Sequence, residues 1–326
     1  MVPQTLAKLD MPTAQITRYS DGIAAVDAEY IRPGLASAHV LAHEGRAAFI
    51  DTGTNFSVPH LLAALAELGL AADAVDYVLL THVHLDHAGG AGLLMKALPN
   101  ARAVLHPRGA PHMIDPTKLI KASIVVYGEE SYRQMYGDLV PIPAERVVQT
   151  EDGQRLDFAG RTLEIVHTPG HALHHQAFVD LDHGNIFTGD TFGISYKECD
   201  TARGAFIFPT TTPSQFDPDQ LIASVRRLVA YRPKRLFLMH YAGVTDVPRL
   251  AASMEHQILE FVRIARAHKG SPQAAEAIRA DMRALVFGLL REHGCTLSAE
   301  QLDALLGGDF DLNTQGLLVW LERVQS

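Results

Sequence analysis

The sequence predicts a mixed α/β fold that ends in an all-helical stretch, and three observations predict it. Short apolar or alternating runs, separated by Asp-Gly, Pro-Gly and Glu-Gly turns, mark two batches of β-strands. Residues 77–105 run strand, loop, helix, strand, the order of an open α/β sheet. Beyond about Val247 the strand signals stop and apolar residues recur at helical spacing. With 326 residues, 47% of them hydrophobic, the chain can bury one large core and carry an appendage. The expected division is 1–246, with a helical insertion at about 107–145, and a helical C-terminal extension at 247–326.

Taken in order, strands are expected at 15–19, 23–29, 37–42 and 47–50. Ser57 can cap a helix carrying Leu61, Leu65 and Leu68, with Gly69 suited to its C-terminal end. A buried strand at 77–80 leads into a histidine-rich loop, then a helical stretch, then a strand at 103–105. The segment from His106 to Arg146, with Ile124, Val125, Val126, Tyr127, Tyr132, Met135 and Tyr136, reads as the helical insertion. Strands at 146–149, 154–158, 162–167, 176–180 and 185–188 read as an antiparallel meander. Asp217-Pro218 is an N-cap and first-turn pair for a helix carrying Leu221, Val225, Leu228 and Val229, and a strand at 235–239 delivers His240. The extension carries the stripes Leu250, Met254, Ile258, Phe261 and Ile278, Met282, Leu285, Leu289, then a Ser298/Gln301 capping box. Such stripes require a partner surface, and a homodimer contact is one way to supply it.

A net charge of −9 without any run of Lys and Arg argues against nucleic acid as a partner. Residues 1–10 lack a basic stretch followed by an apolar core, and no window is apolar enough to span a bilayer, so a soluble, unprocessed chain is expected. Cys199 and Cys295, the only cysteines, fit a reducing compartment, which makes the cytoplasm the expected location.

Histidine is the compositional outlier, at 17 residues. His82, His84, Asp86 and His87 put four metal-ligating side chains into six residues at the C-terminal end of a predicted strand. Further candidates follow or end later strands: His171 in Thr-Pro-Gly-His, Asp190 in Thr-Gly-Asp-Thr, and His240. A structural zinc needs four ligands and closes its coordination sphere, so seven candidates suggest two ions with positions left open for chemistry. Nitrogen and oxygen donors suit zinc, iron or manganese.

His-x-His-x-Asp-His followed in order by His171, Asp190 and His240, with the Asp51-Thr52-Gly53 turn upstream, resembles the metallo-β-lactamase superfamily over about residues 15–241. The resemblance implies a four-layer αββα sandwich with its site at one edge of the paired sheets. It implies that His82, His84 and His171 bind one ion and Asp86, His87 and His240 the other, with Asp190 bridging. It implies two divalent ions, zinc foremost, and a metal-bridging hydroxide that attacks an electrophilic centre, with Asp86 passing a proton to the leaving group. Asp51 is expected to orient a ligand histidine rather than to be a ligand.

Three residues are candidate substrate contacts, each with a plainer alternative: Tyr196 (packing), His174 (ordinary hydrogen bonding, at a position where many relatives carry glycine) and Tyr241 (a structural hydroxyl). His39, His60, His112, His256 and His293 are expected to be surface or core residues. The leading expectation for function is hydrolysis of a small ester, thioester or lactone. The alternatives are a small-molecule phosphodiesterase, for which Lys118, Lys197 and Arg203 are the basic candidates, and an iron-dependent oxygen-using enzyme. Histidine at 84, where the redox-active di-iron branch has glutamate, favours hydrolysis.

Overall fold

The computed structural model describes residues 12–211 and 215–324; the reading of residues 1–10 lies outside it. Among the described residues the strands form two sheets. The first contains β1 (Ile16–Arg18), β2 (Ile23–Asp27), β3 (Ser37–His43), β4 (Arg46–Ile50), β5 (Val75–Leu79), β6 (Arg102–Leu105) and β7 (Val147–Gln149) in chain order. The second contains β8 (Arg155–Phe158), β9 (Arg161–His167), β10 (Gln176–Asp180), β11 (Asn185–Phe187), β12 (Arg235–Leu238) and β13 (Ala242–Val244), ordered β13-β12-β11-β10-β9-β8. Each sheet opens with antiparallel hairpins and then turns parallel, from β4 to β7 in the first and between β11 and β12 in the second.

Helices α1 (Val58–Glu67), α2 (Leu85–Ala88) and α3 (Ala91–Ala97) follow β4 and β5, and α4 (Ala110–Ile114), α5 (Thr117–Tyr127) and α6 (Glu129–Tyr136) form the insertion. Then come α7 (Pro218–Ala230), α8 (Val247–Ala267), α9 (Ala274–His293) and α10 (Ala299–Arg323). Three apolar layers hold these together. Ile23, Leu41, Ile50, Leu79 and Val104 of the first sheet face Phe158, Ile165, Phe178, Phe187 and Phe237 of the second. Val40, Phe49 and Val78 on the first sheet's outer face pack under Leu61, Leu65 and Leu94 of α1 and α3. Val179, Ile186 and Leu238 pack under Val225, Met254, Met282 and Leu317 of the C-terminal helices. The result is an αββα sandwich in which α8 to α10 share the second sheet's core. No helix among the described residues is long and apolar enough to cross a membrane.

Two sequence expectations need correction, and one strand was not foreseen. The pattern assigns residues 146–149 to the antiparallel meander, but β7 pairs parallel with β6 in the first sheet, so the meander begins at β8. Apolar alternation reports a strand and not its partner. Ser57 does not cap α1 through its side chain: its Oγ donates to the Ala28 carbonyl at 2.7 Å, and Thr54 caps the preceding 3-10 turn in a capping box with Ser57. Strand β13, three residues long, carries no sequence signal. The Asp217 cap and the Ser298/Gln301 capping box form as expected.

His39 lies between the sheets, edge-on to Phe187 and Phe237 at 5.6 and 5.4 Å, its Nε2 buried without a hydrogen-bond partner. Burial pushes its pKa from 6.5 down to about 3. The folded state therefore keeps it neutral while the unfolded chain takes up a proton below pH 6.5. The stability this contributes is present above 6.5 and lost as pH falls from 6.5 toward 3, at up to about 1.4 kcal/mol per pH unit. Denaturant unfolding of His39→Leu should show a flatter acid limb than the parent chain; identical slopes would remove His39 as the cause. Fully buried Leu317 tests the shared core. Leu317→Ala should lose about 2–5 kcal/mol within a single transition, whereas an early melt confined to part of the helical signal would mean that α8 to α10 unfold alone.

Candidate metal centre

Every candidate ligand sits where the chain leaves a strand at one edge of the sandwich. His82, His84, Asp86 and His87 follow β5, His171 lies between β9 and β10, Asp190 follows β11, and His240 follows β12. The parallel neighbours β4 and β5, and β11 and β12, end together at that edge, which lets the side chains on their following loops converge. Asp190 is brought in by Gly189 at φ 48°, where a Cβ would meet His175 Nε2 and the Thr81 side chain at 2.7 Å.

The seven residues converge as two groups. His82 Nε2 lies 2.8 Å and His171 Nε2 3.2 Å from His84 Nδ1. Asp86 Oδ2 lies 3.2 Å from His240 Nε2 and 3.8 Å from His87 Nε2. Asp190 stands between them: its Oδ2 is 3.4 Å from His171 Nε2, and its Oδ1 is 3.2 Å from His87 Nε2 and 3.9 Å from His240 Nε2. The sets His82/His84/His171, His82/His87/Asp190 and Asp86/His87/His240 could each hold a metal ion.

Hydrogen bonds behind the rings fix the tautomers. His87 Nδ1 donates to Asp51 Oδ2 at 2.9 Å, and His240 Nδ1 donates to the Leu35 carbonyl at 2.8 Å. Each ring thereby directs its Nε2 lone pair inward. Asp51, in the left-handed region at φ 56°, is held in turn by the Thr81 amide and hydroxyl. His87 Nε2 and Asp190 Oδ1 are both buried without a hydrogen-bond partner although only 3.2 Å apart. A buried imidazole nitrogen facing a buried carboxylate oxygen is satisfied by a cation between them, a proton or a metal ion, so the residues fit a metal.

Electrostatics separate the two groups. Burial, reinforced by neighbouring imidazoles, lowers the His82 and His84 pKa values, His84 to about 3, which keeps both rings neutral as a ligand must be. Burial opposes charge on His87, yet Asp190, Asp86 and Asp51 together raise its pKa above the ordinary value. Burial likewise opposes ionisation of Asp86 and Asp190, and His87 with the other histidines outweighs it, holding both carboxyls below the usual range.

The other predicted residues surround this centre. The Tyr196 hydroxyl donates to Asp309 at 3.2–3.3 Å, with the Arg32 guanidinium 5.2 Å over its ring. His174 stacks on His82 at 6.1 Å and meets His84 edge-on at 5.6 Å. The Tyr241 hydroxyl donates to Asp27 Oδ2 at 3.3 Å, the structural alternative, and supports the loop that presents the Leu35 carbonyl.

Sequence reasoning missed His175, Asp309 and Tyr30, and named Tyr127 and Tyr136 only as part of the helical insertion. His175 Nε2 accepts the Asp190 amide at 3.1 Å while its Nδ1 meets the Thr168 and Thr191 hydroxyls. Asp309, from the final helix, has its carboxyl raised to about 6 by burial, with the Asp190 charge adding to the shift and His240 opposing it. Tyr30 and Tyr136 share a 2.8 Å hydrogen bond, Tyr127 lies 5.8 Å from Tyr136, and Tyr132 and Tyr136 pack in one apolar cluster with Leu85, so the insertion stands beside Asp86; burial first, and then charge that includes the Asp86 carboxylate, raises the phenols of Tyr30, Tyr127 and Tyr136. A polar residue on an otherwise apolar helix stripe was the one available signal for Asp309.

A two-sheet αββα sandwich with a histidine- and aspartate-rich metal site at one edge defines a class of metalloprotein. The chain belongs to the metallo-beta-lactamase superfamily, whose family model matches residues 31–240. It is 28% identical to the metallo-beta-lactamase fold-containing protein ST1585 of Sulfurisphaera tokodaii over 64% of this chain and 73% of that one. It is 30% identical to a hydroxyacylglutathione hydrolase of Aeromonas hydrophila over 66% of this chain and 65% of that one. The structure of the metallo-beta-lactamase family protein TTHA1429 from Thermus thermophilus superposes with a TM-score of 0.65 at 21% identity, covering 93% of this chain and 94% of that one.

Asp51→Asn exchanges the acceptor that orients His87 for an amide. It should weaken retention of metal about 10- to 100-fold, measured by elemental analysis after dialysis against graded chelator, and unchanged retention would remove Asp51 from the support of the site.

Proposed function

We propose that the chain is a dinuclear metal-dependent hydrolase of a small ester, thioester or lactone. The observation that carries this reading is Asp190, whose two carboxylate oxygens face different ligand groups. His82, His84 and His171 would hold one ion, Asp86, His87 and His240 the other, and Asp190 both. Zinc suits the donor set first, with manganese or iron able to take the same nitrogens and oxygens. When bound, such a pair supplies an acidified water as nucleophile and polarises the scissile bond.

The chain's own residues do the rest. Asp86 is partly exposed, its Oδ2 directed to His87 and His240, and its other oxygen takes up and passes on the proton that the leaving group needs. Tyr30, Tyr127 and Tyr136 shield the Asp86 side from water and offer an apolar wall to an acyl group. Tyr196 and His174 stand beside the ligands as substrate contacts.

An ester-type substrate is favoured over a phosphodiester by the surrounding charge. Lys197 pairs with Asp200 at 3.5 Å, and Arg203 donates to the Glu292 carbonyl at 2.6 Å. The relative named as a hydroxyacylglutathione hydrolase supports a thioester within this class.

Metal content of protein purified without added metal should be about two ions per chain. Hydrolysis across a panel of lactones, thioesters and phosphodiesters should vanish on chelation and return with zinc or manganese. Iron accompanied by thiol-dependent oxygen uptake and no hydrolysis would replace this reading with the redox one. Tyr196→Phe should raise KM or lower kcat on the preferred substrate by about tenfold, the loss of roughly one hydrogen bond.

A further inference from the structure

We propose that Asn313, on the final helix and outside the segment matched by the family model, is a positioning residue for His171. The inference rests on the reading that His171 is a metal ligand. With Nε2 turned toward His84 and Asp190, His171 carries its proton on Nδ1, which faces the Thr210 carbonyl at 3.4 Å. That carbonyl belongs to the long connection between β11 and α7, at a point where residues 209–211 pair with no strand among the described residues. Asn313 grips the residues on both sides of it. Its Oδ1 accepts the Thr211 amide at 2.6 Å, its Nδ2 donates to the Pro209 carbonyl at 3.2 Å, and its main-chain oxygen accepts the Thr211 hydroxyl at 2.9 Å.

One side-chain amide thus acts like a neighbouring strand for residues 209–211, offering one acceptor and one donor across a short span of backbone. Asn313 is 2% exposed and lies on the apolar stripe of α10 between Phe310 and Leu317, where a polar side chain must be paired to be tolerated. These partners all lie on one loop. The Thr210 carbonyl is therefore placed by the C-terminal helix, and through it the ring plane and tautomer of His171.

Zinc bound by the full-length chain is titrated against a chromophoric chelator. Asn313→Ala should release one of the bound ions about tenfold more readily than the parent chain. Asn313→Asp keeps the Thr211 acceptor, loses the Pro209 donor, and should lose severalfold, which provides the reading where the alanine variant is too unstable to purify. Leu317→Ala loosens the same helix without touching residues 209–211 and should bind zinc like the parent. In a His171→Ala background, Asn313→Ala should change nothing further. Parent-like affinity in both Asn313 variants, an equal loss in Leu317→Ala, or an undiminished effect of Asn313→Ala in the His171→Ala background would each overturn the inference and leave the metal reading intact. A parent chain that binds no zinc, manganese or iron would overturn the metal reading itself, and this inference with it.

Discussion

The constraint on which the rest of the structure depends is the burial of lone pairs at one sheet edge. His82, His84, His87, His171 and His240 bring imidazole nitrogens to within about a hydrogen bond's length of one another or of the Asp86 and Asp190 carboxylates. Such a cluster buries polar atoms that need a proton or a metal ion between them, because water cannot intervene. It persists only if the scaffold imposes it and a cation offsets it. Asp51, the Leu35 carbonyl and the Thr210 carbonyl each take the outward-facing N–H of one ligand ring, and His175 takes the Asp190 amide. These contacts come from four separate loops and fix the direction of each lone pair before any ion arrives.

The sandwich supplies what such a site needs because its parallel strands end together. Loops after β4, β5, β11 and β12 leave the same edge, and the two sheets cannot slide apart while Phe178, Phe187 and Phe237 interlock with Leu41, Ile50 and Leu79. Packing at interior density sets the loop origins to within small tolerances, and short loops carry that accuracy to the side chains. His39 is a by-product of the same layer: an imidazole held among phenylalanines, useful to packing at neutral pH and costly in acid.

Local chemistry made the centre legible. His82 to His87 are dense in ligands, and Asp190 and His240 fall directly after apolar runs, so both the strand ends and the donors could be read from the chain. The capping residues of α7 and α10 were equally readable, since a cap acts over three or four residues. What could not be read was every decision made by distant partners. Strand β7 looks like its meander neighbours and is distinguished only by lying beside β6. Ser57 is a good cap in isolation, yet the Ala28 carbonyl takes its hydroxyl. Asp309 and Asn313 lie far beyond His240 in the chain and reach the centre only because α10 folds back over the second sheet.

That return of the final helix separates two tasks within one fold. The candidate ligands lie within residues 31–240, the segment the family model matches, while α8 to α10 lie beyond it. Yet these helices are not a detached appendage: Leu250, Met254, Met282 and Leu317 complete the apolar layer over Val179, Ile186 and Leu238. On the same face α10 presents Asp309 to Tyr196 and, one turn on, Asn313 to residues 209–211. A helix seated on so broad an apolar layer is rigid enough to place two polar groups, and an i, i+4 pair keeps them about 6 Å apart along one stripe. The candidate centre can therefore keep a fixed set of side chains while the surface beside it is rebuilt on a separate element, as expected of a fold that carries its sites on its loops.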